Sequence, residues 1–137
     1  MKLIVDTNIL ISALIRDSVT RKIIIYSGID LYYPEISLHE LRKHEKNIIR
    51  KSGSNKDSYR KILNKLLEYI ELLPEEIVLK NLNESKKIMQ NIDPDDVVFI
   101  SAALGINADI WTNDKDFRKQ RKIKIWQTKD LIRLFLK

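Results

Sequence analysis

The chain has no cysteine, which removes disulfide scaffolds, thiolate zinc clusters and thiol nucleophiles from consideration. The same absence fits a reducing cytoplasm. Long apolar runs are missing as well. The opening stretch Met1-Lys2-Leu3-Ile4-Val5 meets a carboxylate at Asp6, too early for a signal peptide. No uninterrupted run approaches the ~20 residues of a membrane span. There is no internal repeat, linker or low-complexity tract. The expectation is a soluble, cytoplasmic protein with one domain over residues 1–137.

What is present supports a folded domain. Hydrophobic residues make up 44% of the 137, enough for a real core rather than a disordered chain. The formal net charge is +6, and a basic surface favours polyanionic partners through counterion release. The basic residues fall in three clusters: Arg42, Lys43, Lys46, Arg50 and Lys51; Arg60, Lys61 and Lys65; Arg118, Lys119, Arg121, Lys122 and Lys124. Charge runs of this kind commonly do no more than keep a surface soluble.

Apolar and polar residues alternate in blocks that read as strands followed by helices. Leu3-Ile4-Val5 is a buried strand that stops at Asp6-Thr7-Asn8. Helical spacing follows through Ile9, Leu10, Ala13 and Leu14 and again through Ile23–Ile25, up to Gly28. Ile29–Tyr33 is a second strand closed by Pro34. Helices are expected over Glu35–Arg50 and Asp57–Leu72, separated by the loop Ser52-Gly53-Ser54-Asn55. Glu76–Lys80 reads as a short strand and Glu84–Met89 as a helical turn or two. Asp93 can cap a helix with Pro94 at its first position and Gly105 at its end. Ala108–Thr112 and Lys122–Trp126 are the remaining strands, and Lys129–Leu136 a last helix. The alternation predicts an α/β/α sandwich around a mostly parallel sheet of about four to five strands.

In such a sheet, sites gather beyond the carboxyl ends of the strands. Asp6 and Asp114 fall at strand ends, and Glu40 and Asp96 at or near helix starts. Four carboxylates meeting there would repel one another unless a cation neutralised them. All-oxygen ligands suit Mg²⁺ or Mn²⁺.

Several segments, in this order, resemble the motifs of the PIN-domain ribonuclease family. Asp6-Thr7-Asn8 resembles the N-terminal signature, and Glu40 within Ser37-Leu38-His39-Glu40-Leu41 the helical glutamate. Asp93-Pro94-Asp95-Asp96 followed by Phe99-Ile100-Ser101-Ala102-Ala103-Leu104 resembles the third motif. Ala108 to Phe117, with Thr112-Asn113-Asp114 at its centre, resembles the fourth. The match runs from Asp6 to about Phe117. It implies a metal-dependent endoribonuclease with Asp6, Glu40, Asp96 and Asp114 as catalytic metal ligands. Asp93, Asp95 and Asp116 have weaker claims, and Asn8 and Thr112 would orient ligands or substrate. Arg42, Lys43, Lys46, Arg118 and Lys119 flank this site and are candidates for RNA contacts. For small stand-alone members the resemblance further implies a VapC-like toxin of a type II pair, held by an antitoxin, and a homodimer.

Plainer roles exist for each residue. Asp6, Thr7 or Asn8 can cap the following helix, with Thr7 capping while Asp6 stays free. Glu40 can be a solvent-facing helix residue, Asp93 a cap and Asp114 a turn residue. Asp96 shares a helical stripe with Ile100 and Ala103, which favours it over Asp95, but Asp95 shares one with Val98, Phe99 and Ala102, which weakens that argument. His39 and His44 are expected on the surface, and Trp111 and Trp126 in the core. An aspartyl-phosphate phosphatase would want an acid where Asn8 stands, and a receiver domain would leave Glu40 unused. A catalytically silent domain that binds RNA or protein, and a housekeeping RNA-processing nuclease, both remain compatible with the sequence.

Overall fold

The structure, a computed structural model, describes residues 1–16, 18–89 and 93–135. Its centre is β1 (Lys2–Val5), whose Leu3, Ile4 and Val5 have no exposed surface. A strand buried on both faces belongs in a sheet covered on both sides, as parallel sheets are. β2 (Asp30–Pro34), β3 (Ile70–Leu73), β4 (Asp109–Trp111) and β5 (Ile125–Trp126) complete the sheet. Its order is β3-β2-β1-β4-β5 and every pairing is parallel.

Between β1 and β2 lie α1 (Thr7–Ile15) and α2 (Ser18–Tyr26), and between β2 and β3 lie α3 (Leu38–Ser52) and α4 (Lys56–Leu67). α5 (Glu75–Leu79), α6 (Leu82–Ile88) and α7 (Pro94–Ile106) lead to β4, and α8 (Thr128–Phe135) follows β5. α7 packs across β1, β2 and β4 with α5 and α6 on its flank, whereas α1 to α4 pack among themselves and α2 meets α8. The result is the expected α/β/α sandwich, with five strands.

The structure departs from the sequence reading at five places. Ile70–Leu73, read as the end of a long helix, is β3. Leu66, Ile70 and Leu73 have helical spacing, but in a doubly covered sheet both faces of a strand are apolar, and pairing with Leu31–Pro34 decides the matter. Glu76–Lys80 is not a strand: Glu76–Leu79 lie in α5 and Lys80 closes it, and the helix follows Pro74 with Glu75 and Glu76 in its first turn, where the helix dipole favours acids. The helix expected from Glu35 starts as a 3₁₀ turn, Glu35–Ser37, before α3. The last strand shrinks to Ile125–Trp126; the expected end of α8 at Leu136 lies outside the described residues.

Gly105, the fifth, does not end α7. The helix continues to Ile106 and closes on Asn107 in the left-handed region, φ 54°. Gly105 is there because a Cβ would meet Ile77 Cγ2 at 2.6 Å and the Ile77 carbonyl at 3.1 Å. In an open helix Gly→Ala gains ~1 kcal/mol. Overpacking typically costs ~1–3 kcal/mol, so Gly105→Ala is expected to destabilise by about 1 kcal/mol net. A thermal melt of the variant equal to or above the parent's would show that α5 moves aside freely.

Candidate active site

β1 is where the chain changes direction across the sheet: it goes first to β2 and β3 on one side, then returns to β4 and β5 on the other. The crevice at such a switch point opens at the strands' carboxyl ends. There the Asp6 amide donates to the Trp111 carbonyl at 3.0 Å, and Thr112 Oγ1 donates to Asp6 Oδ2 at 2.7 Å. Asp6 occupies the cap position of α1, yet its side chain makes no cap bond. The residue is 4% exposed and its carboxylate is turned to Thr112. Burial raises its pKa, aided by the charge of Asp114 and opposed by the Thr112 bond and the amides of Thr7 and Asn8.

Thr112 joins the two strand ends. Fully buried, it also accepts from the Asp114 amide at 3.0 Å. Asp114 Oδ1 in turn accepts from the Asp116 amide at 2.9 Å and caps the short 3₁₀ turn Lys115–Lys119. The turn role and a site role therefore coexist at Asp114. Asp116 is paired with Lys119 at 3.0 Å.

Glu40 lies in the first turn of α3 and is half-buried. Its pKa is raised by burial first, then by Asp95 and Asp6, against a hydrogen bond from Thr7 and the pull of His39. Asp96, in the first turn of α7, carries the strongest shift among the site carboxyls. Burial and the charges of Asp6, Asp114, Asp93 and Glu40 push it up to about 7. Asp96 thus lies within electrostatic reach of Asp6, Glu40 and Asp114, although among the described residues the group with metal-ligand spacing is His39, Glu40 and Asp95 and not these four.

Asp93 is exposed and caps α7, accepting from the Asp95 amide at 2.9 Å. Asp95 is exposed on the Glu40 side: one ligand atom each from His39, Glu40 and Asp95 lie within 4.8 Å of one another, a spacing that can hold a cation. His39 and His44 are both exposed, as expected, but His39 is also a neighbour of this acidic rim. Its Nδ1 lies 2.6 Å from the Ile36 carbonyl. Asn8 is exposed at the second position of α1.

Thr7 does not cap. Its buried hydroxyl lies 2.8 Å from the Tyr33 hydroxyl. Neither Thr7 nor Tyr33 stands out as a site residue in the sequence. The pairing of β2 with β1 is the signal that places Tyr33 beside the Asp6-Thr7-Asn8 corner.

Arg42, Lys43, Lys46, Arg118 and Lys119 are exposed. Arg42 and Arg60 also line a groove of about 390 Å³ between α3 and α4, floored by Leu38, Leu41 and Leu63, that contains none of the four carboxylates. Trp111 is fully buried, with its indole N–H on Thr128 at 3.0 Å. Trp126 is half-buried, bonds Asp109 at 2.9 Å and carries Lys124 over its ring at 4.2 Å. Among the described residues no helix is long and apolar enough to cross a membrane.

A parallel sheet with carboxylates from four separate segments near its switch point defines a class, the α/β/α domains with an acidic strand-end edge. Within that class the chain belongs to the PIN-domain family, whose family model matches residues 4–134. PIN domains are generally nucleases that use divalent metals. No curated protein sequence matches the chain. Solved structures that share its fold include two toxin–antitoxin complexes. One is VapBC2 from Rickettsia felis bound to a DNA fragment from their promoter, with TM-score 0.71, 18% identity and coverage of 93% of this chain and 98% of that one. The other is FitAcB from Neisseria gonorrhoeae, with TM-score 0.64, 16% identity and coverage of 93% and 98%.

Proposed function

We propose that this chain is a metal-dependent endoribonuclease and the toxin of a type II toxin–antitoxin pair. The observation that carries the reading is the PIN-family match over residues 4–134 with Thr112 joining Asp6 and the Asp114 amide at the strand ends, 2.7 and 3.0 Å away, and Asp96 near enough for their charges to raise its pKa. A fold selected only for stability would not gather these acids. A divalent cation removes their repulsion, and Asp6, Glu40, Asp96 and Asp114 are the residues that would hold it.

The donor set is all oxygen at its centre, which suits Mg²⁺ or Mn²⁺. When bound, the cation supplies charge for the attacked phosphate and acidifies a water. The chain's own groups do the rest. Thr112 holds Asp6 and the Asp114 backbone in register. Exposed Arg42, Lys43, Lys46 and Arg118 offer counter-charges for a phosphate backbone. An antitoxin partner is supported by the fold shared with the VapBC2 and FitAcB complexes.

Purified protein with Mn²⁺ should cleave single-stranded RNA, and EDTA should stop it. In a bacterial host, expression should arrest growth and co-expression of the neighbouring gene should relieve the arrest. Cleavage without growth arrest would turn the reading toward RNA processing. No cleavage with either metal would remove the nuclease.

A further inference from the structure

The three acids around the start of α7 do different work. Asp93 caps the helix through the Asp95 amide, and Asp96 feels the charges of Asp6 and Asp114. Asp95 is exposed and meets α3 instead. One of its carboxylate oxygens, one of Glu40 and a ring nitrogen of His39 all lie within 4.8 Å of one another. The imidazole nevertheless closes on neither acid. Among the described residues the ion pairs are Lys65–Glu68 and Lys119–Asp116, and His39 takes part in neither. Its orientation comes from elsewhere: Nδ1 lies 2.6 Å from the carbonyl of Ile36, in the 3₁₀ turn before α3. A carbonyl only accepts, so Nδ1 carries the proton and the neutral ring keeps its lone pair on Nε2. Metal-binding histidines almost always donate their second nitrogen in this way, which fixes the tautomer and aims the ring.

We propose that His39 Nε2, Glu40 and Asp95 form a cation seat at the rim of the acidic edge, one that takes a first-row transition dication such as Mn²⁺ in preference to Mg²⁺. The proposal rests on the metal-binding reading above through Glu40, which the seat shares with the other ligand set. Bonds of ~2.1 Å on either side of one dication bridge most of the distance between these donors. The nitrogen sets the preference, because imidazole suits first-row transition ions whereas Mg²⁺ favours carboxylate, carbonyl and water oxygens. The seat also gives Asp95 a role distinct from the cap at Asp93 and from Asp96. A histidine present only to steady the start of α3 would satisfy the Ile36 carbonyl and need no acids from α7 beside it.

The test is pulsed EPR of Mn²⁺ bound to the full chain, with isothermal titration of Mn²⁺ and Mg²⁺ and thermal melts of each metal-free variant. Mn²⁺ on the parent should show the nitrogen coupling of a directly bound imidazole. His39→Ala should abolish that coupling, and His44→Ala, which removes the other of the two histidines, should leave it intact. His39→Ala and Asp95→Asn are each expected to weaken Mn²⁺ at least ~10-fold, since even groups behind a ligand typically cost ~10–100-fold. Mg²⁺ binding to His39→Ala should stay within about threefold of the parent. Mn²⁺ that binds without nitrogen coupling, or with coupling that survives His39→Ala, would overturn the seat and leave the metal reading standing. Coupling and affinity unchanged in Asp6→Asn and Asp96→Asn would uphold the seat and remove those two acids from metal binding. A parent that binds no Mn²⁺ would remove both.

Discussion

Asp96→Asn is expected to lower Mn²⁺-dependent RNA cleavage by at least ~10²-fold while the protein stays folded, and Asp6→Asn to do the same. Losing one preorganised charge-stabilising group costs on the order of 10²–10³ in rate, and a ligand carboxylate contributes both charge and placement. Asparagine keeps the shape and one acceptor oxygen, so the loss reads the charge and not the packing. At Asp6 the Thr112 hydroxyl can still donate to the amide oxygen, which preserves the link between β1 and β4. Combining the two changes should cost little more than either alone, since residues acting as one unit are far from additive. Asp116→Asn is the control: that carboxylate is occupied by Lys119, and its removal should leave cleavage within about threefold. If both ligand variants cut RNA at the parent's rate, the four carboxylates are not the catalytic centre.

Much of this arrangement was legible because strands that carry Leu3-Ile4-Val5 and Ile110-Trp111 stop sharply at polar residues, and parallel sheets put such ends side by side. The third strand was not. Ile70-Glu71-Leu72-Leu73 follows a helix with no intervening breaker and keeps helical spacing with Leu66, so only the tertiary pairing with β2 distinguishes the two states. Gly105 misled for a related reason. Its role is room for Ile77 across a helix contact, which a single sequence does not display. Within the acidic trio the cap role of Asp93 was legible because a cap has a fixed position before a helix, and the structure finds that bond, but the sequence did not divide the metal role among the three. Asp95 was harder, because its neighbours His39 and Glu40 come from α3 and no periodicity along α7 points to them.

The metal-free protein should be less stable at pH 8 than at pH 5, and Asp96→Asn should remove much of this loss at the cost of function. A carboxyl whose pKa is about 7 in the fold and 3.8 outside it binds its proton more tightly when folded. Its contribution to stability is complete below pH 3.8, declines as pH rises and is gone above about 7. Asp6 and Glu40 are shifted in the same direction, so they add to the trend. Asp96 is only half-buried, and solvent screening leaves roughly 2 kcal/mol of the ideal linkage energy. For a chain of this size that is about 5–8 °C in melting temperature between pH 5 and pH 8. Saturating Mn²⁺ at pH 8 should restore the loss, because a ligand of the folded state alone stabilises by mass action. Asp96→Asn removes one source of repulsion outright, so its metal-free form should melt above the parent at pH 8 and gain little from Mn²⁺. That trade of stability for function is the mark of a site built to bind a cation. A parent whose melting temperature rises steadily from pH 5 to pH 8 in EDTA, and an Asp96→Asn variant that melts below it, would mean the acids are held apart and satisfied without any ion.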